Sequence, residues 1–216
     1  MFDSELSMKS HSHISKTASA CFFHLRRLRQ LRGVVTYEVM KQLVTSLVLS
    51  RLDYCNSELF GLPASTLAPL QRVQNVAARL VLRLDHRADI KHALQRLHWL
   101  PVKARIQFKI ATVMHAILNQ RGPAIAYLNN IIKFNREESG RRHASPFLYN
   151  QRSCCHDDTD PVHGKRAFSV CGPSIWNQIP PHIRNLHSVP AFRKALKTYL
   201  FSEISRHCNA LSVSLL

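Results

Sequence analysis

The residues with the most chemical reach lie between Cys154 and Cys171. Cys154, Cys155, His156, His163 and Cys171 offer thiolates and imidazoles, the usual ligands of zinc. Two adjacent cysteines do not easily bind one tetrahedral ion, and no Cys-x-x-Cys pair occurs, so no metal site is expected. Asp157-Asp158 is the only adjacent aspartate pair in the chain. Two-metal phosphoryl chemistry needs such carboxylates on a rigid support, and this pair follows Cys155-His156 without an apolar run on either side. The aspartates therefore read as solvated acids. Thirteen histidines show no Ser/His/Asp or Cys/His order. No catalytic residue, metal or cofactor is expected, and no small-molecule substrate.

What the chain has in excess is cations. It carries 30 Lys and Arg against 13 Asp and Glu, a formal net charge of +17. Counterion release makes phosphate neutralisation favourable, so nucleic acid is the expected partner and anionic membrane the second choice. The candidates are Arg26, Arg27 and Arg29 in one run, Arg72, Arg79 and Arg83 in another, and Arg105 with Lys109 one turn apart.

Helices must position these groups. Ile14, Ala18, Cys21, Leu25 and Leu28 recur at alternating spacings of four and three, which places them on one face of a helix of about five turns. Arg26, Arg27 and Arg29 lie beside that face near its C-terminal end, and Gly33 supplies a stop. Thr36 is placed to cap a second helix, with Glu38 in its first turn and Met40, Leu43, Val44, Leu47 and Val48 as its apolar stripe, ending near Gly61-Leu62-Pro63.

A third helix is expected from Ser65-Thr66, with Pro69 in its first turn and Leu70, Val73, Ala77, Leu80 and Leu84 on one side. Arg72, Asn75, Arg79 and Arg83 project from the opposite arc. A shorter helix near Asp89 to Leu97 leads through His98-Trp99-Leu100-Pro101 into another. That one runs to about Asn119 with Val102, Ile106, Ile110, Val113 and Ile117 inward. His98 and Trp99 are expected to serve packing. Arg121-Gly122-Pro123 ends the helix, and Ala124 to Lys133 adds one short helix.

Periodicity fails from Asn135 to Lys165, which reads as a mobile basic linker. Ala167-Phe168-Ser169-Val170 is a candidate short strand, followed by a Pro-rich turn region holding Trp176, Pro180 and Pro181. Ser188 then caps a last helix bearing Phe192, Leu196, Tyr199 and Leu200, with Arg193 and Lys197 outward. The expected fold is mainly α: a helical bundle over residues 1–134, a mostly irregular linker over 135–164, a small C-terminal extension over 165–205 ending in a helix, and a disordered tail over 206–216. No run approaches the roughly 20 apolar residues that span a bilayer. Six scattered cysteines without a signal peptide fit reduced thiols, hence an intracellular location, nuclear or cytoplasmic.

Six stretches, taken in order, carry a resemblance: Phe22-Phe23-His24-Leu25-Arg26-Arg27-Leu28-Arg29, Leu49-Ser50-Arg51-Leu52-Asp53-Tyr54-Cys55-Asn56, Leu70-Gln71-Arg72-Val73-Gln74-Asn75-Val76-Ala77-Ala78-Arg79-Leu80, Leu97-His98-Trp99-Leu100-Pro101-Val102, Lys165-Arg166-Ala167-Phe168-Ser169-Val170, and Pro173-Ser174-Ile175-Trp176-Asn177-Gln178-Ile179-Pro180. The series resembles the C-terminal third of reverse transcriptases from non-LTR retrotransposons (LINE elements) of the Jockey and chicken-repeat type. It covers Asp3 to about Phe201 and departs from the pattern between Asn150 and His163. The resemblance implies a thumb, the helical element that grips template and primer, followed by a C-terminal extension. It also implies that fingers, palm and endonuclease would lie before Met1.

The aromatic-x-Asp-Asp hairpin between apolar strands that the polymerase reaction needs is missing from this sequence. The expectation is therefore a non-catalytic remnant of such an enzyme that binds RNA or an RNA/DNA hybrid through the eight cations named above. The alternative is an inert or domesticated protein-interaction module, which would self-associate through exposed apolar surface.

Overall fold

A computed structural model of the chain describes residues 10–119 and 168–213. Every regular element among them is helical, in keeping with the mainly α fold expected, and none is a strand. They divide into two compact units, residues 10–106 and residues 107–119 with 168–213. The expected linker, the helix over Ala124 to Lys133 and the stop at Arg121-Gly122-Pro123 lie outside the described residues, as does the boundary expected after residue 134.

In the first unit, α1 (Ser10–Gln30) is the amphipathic helix its spacing predicts. Ile14, Ala18, Cys21, Leu25 and Leu28 are all buried. A 3-10 turn (Leu31–Gly33) ends it. The second helix is capped as expected, the Thr36 hydroxyl accepting from the Val39 amide at 3.5 Å, but it is interrupted. α2 (Tyr37–Val44) widens into a π turn (Thr45–Leu49) before α3 (Ser50–Asp53).

The cause is local: the Thr45 hydroxyl donates to the Lys41 carbonyl at 2.8 Å and the Ser46 hydroxyl to that of Gln42 at 3.0 Å. Ser50 does the same to Ser46. Hydroxyls that bond the carbonyl one turn back compete with the ladder and bend it. Cys55 then turns left-handed at φ 49°, and a 3-10 turn (Asn56–Leu59) leads to Gly61 at φ 77°, a conformation glycine adopts without steric cost. The helix therefore stops at Asp53, earlier than Gly61.

α4 (Ala64–Leu82) packs most extensively on α1 and also meets α2 and α5 (Ile90–Leu97). Small side chains make the approach possible: Ala18 and Cys21 on α1, Ala77 and Ala78 on α4, all buried. Pro69 falls in the second turn rather than the first. The partner it denies is the carbonyl of Ser65, an exposed residue, so the loss is tolerable.

Asp89 caps α5, accepting from the Lys91 amide at 2.9 Å. α4 and α5 end alike, on a non-glycine residue in the left-handed region: Arg83 at φ 56° and His98 at φ 54°. The next amide folds back in each case, Leu84 to the Arg79 carbonyl and Trp99 to that of Leu94. His98 therefore does not pack as expected. It is exposed and serves the turn, while Trp99 is the interior anchor.

A polar clamp crosses this unit. Gln74, fully buried in α4, donates from Nε2 to the Leu100 carbonyl at 2.8 Å. Gln71 donates to Gln74 Oε1 at 3.1 Å and accepts from the Val102 amide at 2.9 Å. Two glutamines thus hold the connector from which α6 (Val102–Asn119) starts.

The division between units falls inside α6. Residues 107–119 belong with α7 (Phe168–Gln178), α8 (Pro181–Arg184) and α9 (Val189–Val213). The candidate strand is corrected here: Phe168–Val170 open α7, and Trp176 lies within that helix rather than in a turn. The apolar residues Cys171, Ile175 and Trp176 fall within one arc of a helix and are buried there, and that period outweighs the β propensity of a three-residue run.

The core is aromatic. His115 stacks on Phe192 with ring centroids 4.1 Å apart, and Trp176 lies 5.7 Å from Phe192. His115 Nε2 is 2.6 Å from the Leu186 carbonyl, which can only accept, so Nε2 carries the proton. Gly172 is required by proximity: a Cβ there would come within 2.7 Å of Met114 Sδ. Ser188 precedes α9, its carbonyl accepting from the Phe192 amide at 2.8 Å, and Phe192, Leu196 and Leu200 are buried as their spacing predicts.

Two predictions follow from these interiors. Gln74→Leu strands the Leu100 carbonyl and one Gln71 amide hydrogen in a dry site, and should cost about 1–3 kcal/mol in urea unfolding. Burial pushes the Cys21 thiol above its ordinary range, so the folded state favours the neutral form. That contribution is present below the unfolded thiol's value of about 8.5 and fades as pH rises through the higher folded value. Unfolding free energy should fall as pH rises above about 8.5, more steeply in the wild type than in Cys21→Ala.

Candidate nucleic-acid interface

The eight predicted cations are not one surface. Arg26, Arg27 and Arg29 occupy the last turns of α1, all exposed, because Leu25 and Leu28 take the face that meets the core. Arg79 lies in the last turn of α4 and Arg83 is the residue on which that helix ends. The guanidinium of Arg83 donates to the carbonyls of Arg32 and Val35 at 3.0 and 3.4 Å. The C-terminal ends of α1 and α4 therefore meet, and five of the eight cations are brought to that end. Arg32, which the sequence reading left out, joins them in the turn after α1. Gly33 marks the helix stop in the sequence, and nothing in the spacing shows that the turn holding Arg32 stays beside the end of α4.

This end is electrostatically one-sided. Asp85, fully exposed after α4, is an acid on which Arg79 acts. The His86 side chain first, then the His86 backbone amide, holds its carboxyl below the usual carboxylate range, with a smaller contribution from Arg79. Both helix ends carry a partial negative charge from their carbonyls, which favours cations there. Arg79 Nε is buried without a hydrogen-bond partner, so part of this cation's bonding capacity is unused within the fold.

Three of the predicted residues stand apart. Arg72 is exposed on α4, about 16 Å along the axis from Arg83 at 1.5 Å per residue. Arg105 is committed within the protein: its Nε donates to Asp53 Oδ1 at 2.8 Å, and a second guanidinium nitrogen reaches Oδ2. Asp53 is also bonded by Asn56 Nδ2 at 3.3 Å. The Arg105 side chain is 17% exposed and that of Asp53 42%, which makes this a half-buried forked pair and not a free phosphate contact. Lys109 is exposed but belongs to the second unit.

Among the described residues, no three His, Cys, Asp or Glu side chains come together as a metal site. Cys171, one of the candidate ligands, is buried, while Cys154, Cys155, His156, Asp157, Asp158 and His163 lie outside the described residues. Among the same residues no helix is long and apolar enough to cross a membrane. No protein-family model, curated protein or solved structure matches the chain.

The reassignment of Arg105 can be measured. Asp53→Asn or Arg105→Gln should lower stability by about 1–2 kcal/mol, less than for a fully buried pair because the carboxylate is partly solvated. Neither should change nucleic-acid affinity by more than about twofold at constant salt. A large affinity loss in Arg105→Gln with unchanged stability would return this residue to the interface.

Proposed function

We propose that the chain is a non-catalytic remnant of a retrotransposon reverse transcriptase that binds RNA or an RNA/DNA hybrid, with its phosphate contacts concentrated where the ends of α1 and α4 converge. The observation that carries the reading is the gathering of Arg26, Arg27 and Arg29 with Arg79 and Arg83, tied by the bonds from Arg83 to Arg32 and Val35. A net charge of +17 supports it, because so large an excess repels itself unless a polyanion neutralises it. The origin rests on the ordered resemblance of six stretches, and the absence of catalysis on the missing aspartate hairpin. Backbone contacts of this kind position a nucleic acid without reading its sequence.

A second reading, a protein-interaction module, draws on exposed apolar residues in the first unit, notably Val34 at 85% and Tyr54 at 67%. It predicts concentration-dependent association that persists when the arginines are replaced.

The distinguishing measurement is a salt titration of the full chain on an RNA hairpin and on an RNA/DNA hybrid. Log affinity should fall linearly with log salt and depend little on sequence. Replacing Arg26, Arg27 and Arg29 together by Gln should reduce that slope by about 2 to 3, since each phosphate contact contributes roughly 0.7 to 0.9. No binding at about 50 mM salt, or a slope untouched by the triple replacement, defeats the proposal.

A further inference from the structure

The outer face of α1 holds something the cation count does not explain. Phe23 lies about 200° around the helix from buried Cys21, so it points away from the core, and it is 50% exposed. The guanidinium carbon of Arg27, one turn later, lies 5.6 Å from its ring centroid. Lys16 occupies the same face about 10 Å toward the N-terminus and Arg26 lies beside it, both exposed. The pairing recurs on α2: Tyr37 is exposed, and the Lys41 ammonium lies 5.8 Å from its ring centroid, again at a spacing of four. Each ring is open to solvent beside a cation, a combination that packing does not call for, since the apolar face of α1 is already complete without Phe23.

We infer that Phe23 and Tyr37 are stacking platforms for unpaired bases, so that the chain takes single-stranded nucleic acid in preference to a duplex. The inference rests on the phosphate-binding reading above and adds the form of the ligand. In a duplex the base faces are already stacked on one another, and a ring on a helix surface finds only sugar and phosphate. In a single strand every base offers a π face, and stacking on an aromatic side chain tolerates any sequence. Lys16, Arg26 and Arg27 flank Phe23 on both sides along the helix, where the phosphates on either side of a stacked base would lie. Charge complementarity selects a polyanion over an apolar protein surface, and the aromatic rings select one with exposed π faces over a lipid headgroup layer.

The test uses the full chain, a labelled oligouridine RNA and a blunt RNA duplex of equal length, at one salt concentration. The wild type should bind the single strand more tightly. Phe23→Leu/Tyr37→Leu keeps apolar bulk at two exposed sites and removes the rings. It should weaken single-strand binding at least about tenfold and duplex binding less than about twofold. Phe23→Trp, a larger ring, should hold or raise single-strand affinity, which a merely folding role would not produce.

Equal losses on both ligands, or no loss on either, overturn the inference while leaving the phosphate reading to stand on the arginine replacements. Failure of the wild type to bind any RNA defeats both. Binding to phosphatidylserine vesicles that survives ribonuclease and weakens in the double variant, with RNA binding unchanged, assigns this face to a membrane surface and overturns it as well.

Discussion

A buried amide holds the first unit in register. Gln74 has no exposure, sits among Val73, Ala77 and Ala78, and bonds the backbone carbonyl of Leu100 at 2.8 Å. A leucine of similar length would bury more apolar surface, yet it could be satisfied by several packings. The amide is satisfied by very few, because its donor must find an acceptor or be stranded. The bond therefore fixes which part of the Leu97–Val102 connector lies on α4. With Gln71 bonding the Val102 amide, it also fixes where α6 begins. The Asp53–Arg105 pair then ties the first turn of α6 to the end of α3. Three segments far apart in sequence are located by hydrogen bonds whose geometry is directional, while the apolar core supplies most of the driving force without direction.

The same logic explains the basic end. Crowding six arginines around two helix ends is unfavourable in isolation, and Asp85 alone does not offset it. Three features make it tolerable. The carbonyls at the ends of α1 and α4 are a local negative charge. Arg83 turns its guanidinium onto the Arg32 and Val35 carbonyls in the connection after α1 and so does not add fully to the repulsion. Arg26, Arg27 and Arg29 are exposed and are screened within about 8–10 Å by salt. What is left is a field that a line of phosphates would relieve.

The sequence made the helical faces legible where periodicity was long and clean. The α1 face, the Thr36 cap, the stretch from Val102 to Asn119 and the face of α9 needed only spacing and capping rules. It did not show the interruption after Val44, because that depends on Thr45, Ser46 and Ser50 hydroxyls choosing carbonyls over water. Nor did it show that Arg83 and Arg105 have partners within the protein. A wheel projection places a charge on an arc but cannot say what lies opposite, and both partners are about 50 residues away along the chain. Phe23 stands in the sequence as an aromatic on a polar arc, but spacing alone does not show that its ring stays half-exposed beside the Arg27 guanidinium. The resembling stretches contain Asp53, Asn56, Gln71 and Gln74, and in the structure these polar residues bond one another or the connector, contacts that spacing along the chain does not reveal.

The second unit shows why the candidate strand was misread. Phe168-Ser169-Val170 is too short for its β propensity to decide anything, and the burial of Trp176 and Phe192 is the larger quantity by far. Those rings find their partner in His115, a residue 71 positions from Leu186, whose carbonyl it bonds. Closing contacts over such a separation costs little more than closing half of it, about 0.6 kcal/mol per doubling of length. Burial of a single large aromatic exceeds that several times over. Helix α7 therefore forms because its apolar period buries Ile175 and Trp176, the latter with its ring 6.3 Å from that of His115. Gly172 is accepted inside it because a Cβ there would come within 2.7 Å of Met114 Sδ. Tertiary contact sets the secondary structure there, which is the circumstance in which a reading of local residues must fail.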